Sequence, residues 1–199
     1  NGIEIKEIFD PNFYIFLAFG QSNMEGQGEI EEQDKEGISD RFRMMAAVEF
    51  LFNPEKREPG EWYRAVPPLC REFCRISPSD YFGRTLLEKL PNNVKVGIIN
   101  VSVAGCSIVL YDEDRAESYL KTTPGWLQDI AANYNNNPFR VLVEKAKKAQ
   151  QSGAIKGILL HQGESDNGDQ NWPNNVKLVY DRLLEELNLK EEEVPLLVG

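Results

Sequence analysis

Positive charge is scarce in this sequence. It sets 22 Lys and Arg against 32 Asp and Glu, a formal net charge of −10. That balance argues against nucleic acid or any other polyanion, whose binding depends on clustered Lys and Arg. A neutral polysaccharide meets no such penalty. Cysteine is sparse too: Cys70, Cys74 and Cys106 leave one thiol unpaired at best and build no disulfide framework. The C-x-x-x-C pair has no second Cys or His cluster beside it, so neither a zinc site nor any other cofactor is expected. No run of eighteen apolar residues exists, and no membrane span is predicted. Residues 1–11 are mostly polar with three acids and lack a signal-peptide pattern. The chain opens on Asn1 rather than Met, which reads as a mature or trimmed form; a secreted or extracellular place is expected, with the cytoplasm as the alternative. Histidine occurs once, at His161.

What is present suits one α/β domain over residues 1–199, with 41% hydrophobic and 27% charged residues and no internal repeat. Phe13 to Phe19 is a run of seven apolar or aromatic residues. It is too short for a membrane and has the composition of a strand buried on both faces. It stops at Gly20, and Ser22 follows in a polar turn that ends at Gly26. Further strands are predicted over Met44–Val48, Val94–Val101, Ile155–Leu160 and from Val194. Helices are predicted over 79–90, 138–152 and 173–187, where apolar residues recur at helical spacing. The acidic stretch Glu25–Asp40 reads as a solvated loop. Asn53–Pro68, with four prolines, reads as an irregular excursion whose Trp62 and Tyr63 either stack on sugars or pin the loop to the core. Residues 112–137 have room for one short helix. Strands alternating with helices require a mainly parallel sheet covered on both faces, a three-layer α/β/α arrangement. Because the sequence stops inside an apolar run, it is expected to lack the carboxyl-terminal part of its domain.

Three predicted strand ends carry polar or small-residue loops: Gly20-Gln21-Ser22-Asn23-Met24, Ala104-Gly105-Cys106 and His161-Gln162-Gly163-Glu164-Ser165-Asp166. Parallel strands deliver all three to one sheet edge, where open α/β sheets bind ligands. Serine acyl transfer needs a nucleophile, a base, an acid that orients the base, and oxyanion donors. Ser22 supplies the first, Glu164 or Asp166 the acid, and the Gly105 N–H with the Gln162 or Asn23 amide the donors. His161, three residues from Glu164, is poorly placed to meet both that carboxylate and Ser22, and it reads better as a residue that shapes the site. Cys106 reads as buried filler.

Gly20-Gln21-Ser22-Asn23-Met24 and His161-Gln162-Gly163-Glu164-Ser165-Asp166 are two signature loops that resemble those of the SGNH-hydrolase superfamily, specifically the sialate O-acetylesterase-like domain and carbohydrate esterase family 6, the acetylxylan esterases. Arg41–Ala46, Trp62–Cys70, Asp80–Arg84 and Asn100–Cys106 are similar to the same family, so the resemblance runs through nearly the whole chain. It implies a flavodoxin-like sheet and cofactor-free removal of O-acetyl groups from carbohydrate. It also implies Ser22 as nucleophile, Glu164 as the acid of the triad, and an oxyanion hole of the Ser22 and Gly105 N–H groups with Gln162. Gln21, Asn23, His161, Asp166 and Trp62 would bind substrate or shape the site. The family's base is a histidine in an Asp-x-x-His motif after the last strand begun here. These residues contain no such motif, so that histidine is expected in the carboxyl-terminal part. The rivals are an esterase for sialate or another small ester, and an inactive carbohydrate-binding homologue. A nucleotide-binding domain is disfavoured, because no glycine-rich phosphate loop follows the first strand.

Overall fold

The computed structural model describes residues 8–199; the polar amino terminus read above lies outside these residues up to position 7. Chain order is β1 (Phe13–Gly20), α1 (Ser22–Glu25), α2 (Glu32–Lys35), β2 (Phe42–Met45), β3 (Trp62–Arg64), α3 (Pro78–Lys89), β4 (Lys95–Ser102), α4 (Glu113–Leu120), α5 (Gly125–Ala132), α6 (Pro138–Ala149), β5 (Ala154–His161), α7 (Trp172–Leu187) and β6 (Leu196–Val198). The six strands form one sheet in the order β3-β2-β4-β1-β5-β6. All pairings are parallel except β2 with β3. The predicted three-layer α/β/α class is the observed one.

β1 lies at the centre because its residues are apolar on both faces. Ile15, Leu17 and Phe19 pack with Phe139, Leu142 and Val143 of α6 and with Val179 and Leu183 of α7. Phe16 and Ala18 face the other way, onto a core that includes Met24, Phe42, Met44 and Leu87 of α3. The alternation is the period of two expected of a strand, with both halves covered.

The helix starts follow from capping residues. The Ser77 hydroxyl accepts from Ser79 N–H at 3.2 Å while Asp80 Oδ2 accepts from Ser77 N–H at 2.9 Å. This box starts α3 at Pro78, one residue before the predicted start at 79. Asn137 caps α6 through Arg140 N–H at 3.0 Å. Residues 112–137 hold two helices rather than one, each apolar on a single narrow stripe.

Two loop readings are corrected. Glu25 and Asp34, assigned to a solvated stretch, are about 5% exposed: Glu25 pairs with Arg71, and Asp34 accepts from Tyr81 OH at 2.6 Å. Trp62 belongs to a short antiparallel strand, and its indole packs on Phe13 with ring centroids 4.7 Å apart and donates to Ser152 Oγ at 3.3 Å. It pins the loop at the amino-terminal edge of the sheet. Phe13 and Gly20 are seven residues apart along β1, a strand length of roughly 20 Å, so the structure places the Trp62 indole away from the Ser22 loop and favours the pinning role over the sugar-stacking one.

Candidate active site

At the carboxyl edge, Gly20 pairs with Ser102 of β4 on one side and His161 of β5 on the other. The three loops predicted to meet therefore leave from adjacent strand ends. Tyr111, fully buried, locks this point: its hydroxyl donates toward Gly20 O at 2.7 Å and lies 3.0 Å from Val101 O. A Cβ on Gly20, whose φ is +154°, would stand 2.1 Å from His161 O, so only glycine lets β1 and β5 close at this turn. Ser22 is half-buried at the first position of α1. As the opening residue of a helix its N–H has no intrahelical acceptor, and among the described residues it finds none elsewhere. Gly105 lies inside the turn closed by Cys106 N–H to Val103 O at 3.3 Å, and its own N–H is likewise uncommitted among the described residues.

Gln21 staples the signature loops together. Its side-chain oxygen accepts from Gly163 N–H at 3.3 Å and Ser165 N–H at 3.1 Å, and its amide reaches Ser165 Oγ at 3.2 Å. Ser165 in turn donates to Gly105 O at 2.9 Å. Two buried polar residues of β4 hold α1 from beneath: Asn100 donates to Met24 O at 2.8 Å and accepts from Ser102 Oγ at 2.7 Å. Glu25, at the end of α1, binds Ala104 N–H at 3.1 Å as well as Arg71. α1 and the Gly105 loop are thereby tied to one buried ion pair.

The two candidate acids have different surroundings. Asp166 is consumed by structure, accepting from Ser107 Oγ at 2.5 Å, Ile108 N–H at 2.8 Å and Gln162 Nε2 at 2.6 Å. Glu164 is half-exposed, with Oε1 held by the Asn23 amide at 2.6 Å and Oε2 without a partner among the described residues. His161 Nδ1 is buried and lies 3.5 Å from Glu164 Oε1 without hydrogen-bond alignment. Ser22 Oγ has no hydrogen-bond partner among the described residues, so the geometry does not join Ser22 and His161.

Gln162 differs from expectation. It is 3% exposed, and its amide protons point to Gln21 Oε1 at 3.2 Å, Cys106 O at 3.0 Å and Asp166 Oδ2 at 2.6 Å, while Trp172 Nε1 fills its oxygen at 2.6 Å. An amide with two protons and three buried acceptors has none left for an oxyanion. Gln162 is a brace. Burial, followed by the Asp166 charge, pushes the Cys106 thiol well above its ordinary range, which suits filler and not a nucleophile. The sequence makes Trp126 and Leu127 the apolar anchor of their polar segment, yet only Leu127 is buried; Trp126 is 54% exposed and lies over Gly105, where a Cβ would be 2.4 Å from the indole. Its only sequence signal was an aromatic in a polar segment.

The family model described as carbohydrate esterase, sialic acid-specific acetylesterase matches residues 12–199. The chain belongs to this family. Members of the acetylesterase family are hydrolases of carboxylic esters. Among solved structures, a protein from Arabidopsis thaliana is similar at 18% identity and a TM-score of 0.63, over 95% of this chain and 74% of that one. A carbohydrate acetylesterase from Xanthomonas citri matches at 19% identity and 0.61, over 92% of this chain and 40% of the other. NanS matches at 17% and 0.62, over 96% and 68%. At these identities the likeness concerns the fold.

Proposed function

We propose that this acetylesterase removes O-acetyl groups from a polysaccharide, with acetylated xylan the favoured substrate, through a covalent acetyl-serine intermediate. The observation that carries the reading is the placement of Ser22 at a helix start, with its N–H and that of Gly105 uncommitted among the described residues and Glu164 presented by Asn23 from the neighbouring loop. Ser22 Oγ attacks the acetyl carbonyl, and the Ser22 and Gly105 N–H groups receive the negative charge that develops on its oxygen. The base is the histidine that the family resemblance places in an Asp-x-x-His motif after β6, oriented by the free Oε2 of Glu164. It takes the serine proton and returns it to the departing sugar hydroxyl. Water, deprotonated by the same histidine, then attacks the acetyl carbonyl; acetate leaves and Ser22 regains its proton.

A serine-directed organophosphonate should add one adduct mass to the protein at Ser22 and abolish acetate release. Absence of labelling favours an inactive carbohydrate-binding homologue. The family description favours a second reading, sialate O-acetyl esters, and comparison of kcat/KM for acetylated xylan and for acetylated sialic acid separates the two.

A further inference from the structure

Next to the Ser22 loop lies a cavity of about 670 Å³, within the size range of small-ligand sites. Two elements of the reaction site run into it. Ser22 and Glu25 stand one turn apart on α1, and Trp126, over Gly105, stands one turn from Ile130 on α5; Glu25 and Ile130 both line the cavity. One helical turn is about 5.4 Å, so the cavity adjoins the place where the acetyl ester would react. We propose that it is the subsite for the sugar residues carrying the ester, and that its ligand is a neutral glycan and not an acidic sugar. This rests on the esterase reading above.

The rim has the chemistry of a sugar platform. Phe73 and Phe52 are 80% and 66% exposed and meet edge to face with centroids 6.1 Å apart, next to exposed Leu51. Such aromatic rings are normally hidden, and an exposed pair at a cavity mouth marks a binding surface; the C–H face of a pyranose packs on such rings. The platform is preorganised. The buried Glu72 carboxylate accepts from Leu51, Phe52 and Asn53 N–H groups at 3.2, 2.7 and 2.8 Å, and Asn53 Nδ2 donates back to Glu72 O at 3.0 Å. The two rim segments are thus fixed before any ligand arrives, which lowers the ordering cost of binding.

The charge inside selects for neutrality. Four carboxylates and two guanidinium groups line the cavity; Glu25 is spent on Arg71 and Ala104 N–H and Glu72 on the rim N–H groups, which leaves Glu49 and Asp129 beside Arg75. Arg71 is committed to Glu25, Ser102 O at 2.6 Å and Tyr134 OH at 3.0 Å. A carboxylate-bearing sugar would therefore enter a site with an excess of its own sign, whereas hydroxyl groups can donate to the acids and accept from Arg75.

The test titrates Ser22→Ala protein, which cannot turn over ester, with xylotetraose and separately with N-acetylneuraminic acid, following amide chemical shifts. Xylotetraose should shift resonances of residues 51–53, 71–75 and 129–133, and Phe73→Ala should weaken it about tenfold. N-acetylneuraminic acid should bind at least tenfold more weakly, and more weakly still at low salt. In wild type, Phe73→Ala should lower kcat/KM on acetylated xylo-oligosaccharide about ten times more than on p-nitrophenyl acetate. Tighter binding of N-acetylneuraminic acid, or xylotetraose shifts located elsewhere or absent, overturns the proposal. Xylotetraose binding at the cavity in a protein that hydrolyses neither ester would leave this subsite standing and remove the esterase reading.

Discussion

The two edges of the sheet are made of similar residues arranged to opposite ends. At the amino edge nearly every group is closed off. Phe13 lies under Trp62, Lys95 sits 5.1 Å from the Phe13 ring centroid and 3.0 Å from Asp10, and Trp62 spends its N–H on Ser152. At the carboxyl edge the groups are held but left open: among the described residues, two N–H groups have no acceptor, one carboxylate oxygen has no donor, and a tryptophan stands half in solvent. Trp62 and Trp126 are the same residue type with different fates because topology puts one where loops pack and the other where strands empty. Satisfied contacts stabilise, and open ones remain available for substrate.

Mutations that separate activity from stability test this contrast. Ser22→Ala should lower kcat on acetyl esters by roughly 10⁴-fold while shifting the denaturant midpoint hardly at all; retention of even a tenth of the activity would remove Ser22 as nucleophile. Next come the paired acids. Glu164→Gln should cost about 10²- to 10³-fold in kcat with little change in stability, because its contacts are half-exposed. Asp166→Asn should show the reverse pattern, losing about 1–3 kcal/mol of stability as its buried donors go unmet; a larger kcat loss for Asp166→Asn than for Glu164→Gln would exchange their roles. At the other edge, Trp62→Ala should cost about 3 kcal/mol, toward the low end for a large aromatic that is not fully buried. Its kcat/KM on xylan ester should equal that of wild type, and a fall in KM-dependent activity alone would return Trp62 to the substrate.

The layer architecture and the convergence of three loops were legible because both depend on local patterns: apolar runs set strands, helical spacing set crossovers, and parallel strands deliver their ends together. Partners set by distant packing were not. Nothing in Glu25 distinguishes it from the solvated acids after it; only Arg71, 46 residues on, makes it a buried brace. Gln162 looked like an oxyanion donor by position, but Cys106 O, Asp166 and Trp172 capture its amide from three segments. Asn100 and Ser102 did carry a signal, as polar residues in the apolar run of β4, and their purpose appears only when Met24 O is seen above them.

Asp80 extends the contrast to a buried acid on the carboxyl-edge side, at the start of α3. One of its oxygens caps Ser77 N–H while Oδ1 is buried without a partner among the described residues. Burial outweighs the Ser77 hydrogen bond and raises the carboxyl to a pKa of about 6 from 3.8. Between these values the folded protein binds more protons than the unfolded chain, so stability falls as pH rises. The contribution is fully present below about pH 4 and is lost as pH passes through about 6, a change of up to about 3 kcal/mol. Asp80→Asn keeps an oxygen for Ser77 but cannot ionise, so its stability relative to wild type should climb between pH 4.5 and pH 7.5 in denaturant titrations. Parallel curves for the two proteins would show that Asp80 ionises as readily in the fold as outside it, and that this side of the sheet has no buried acid resisting charge.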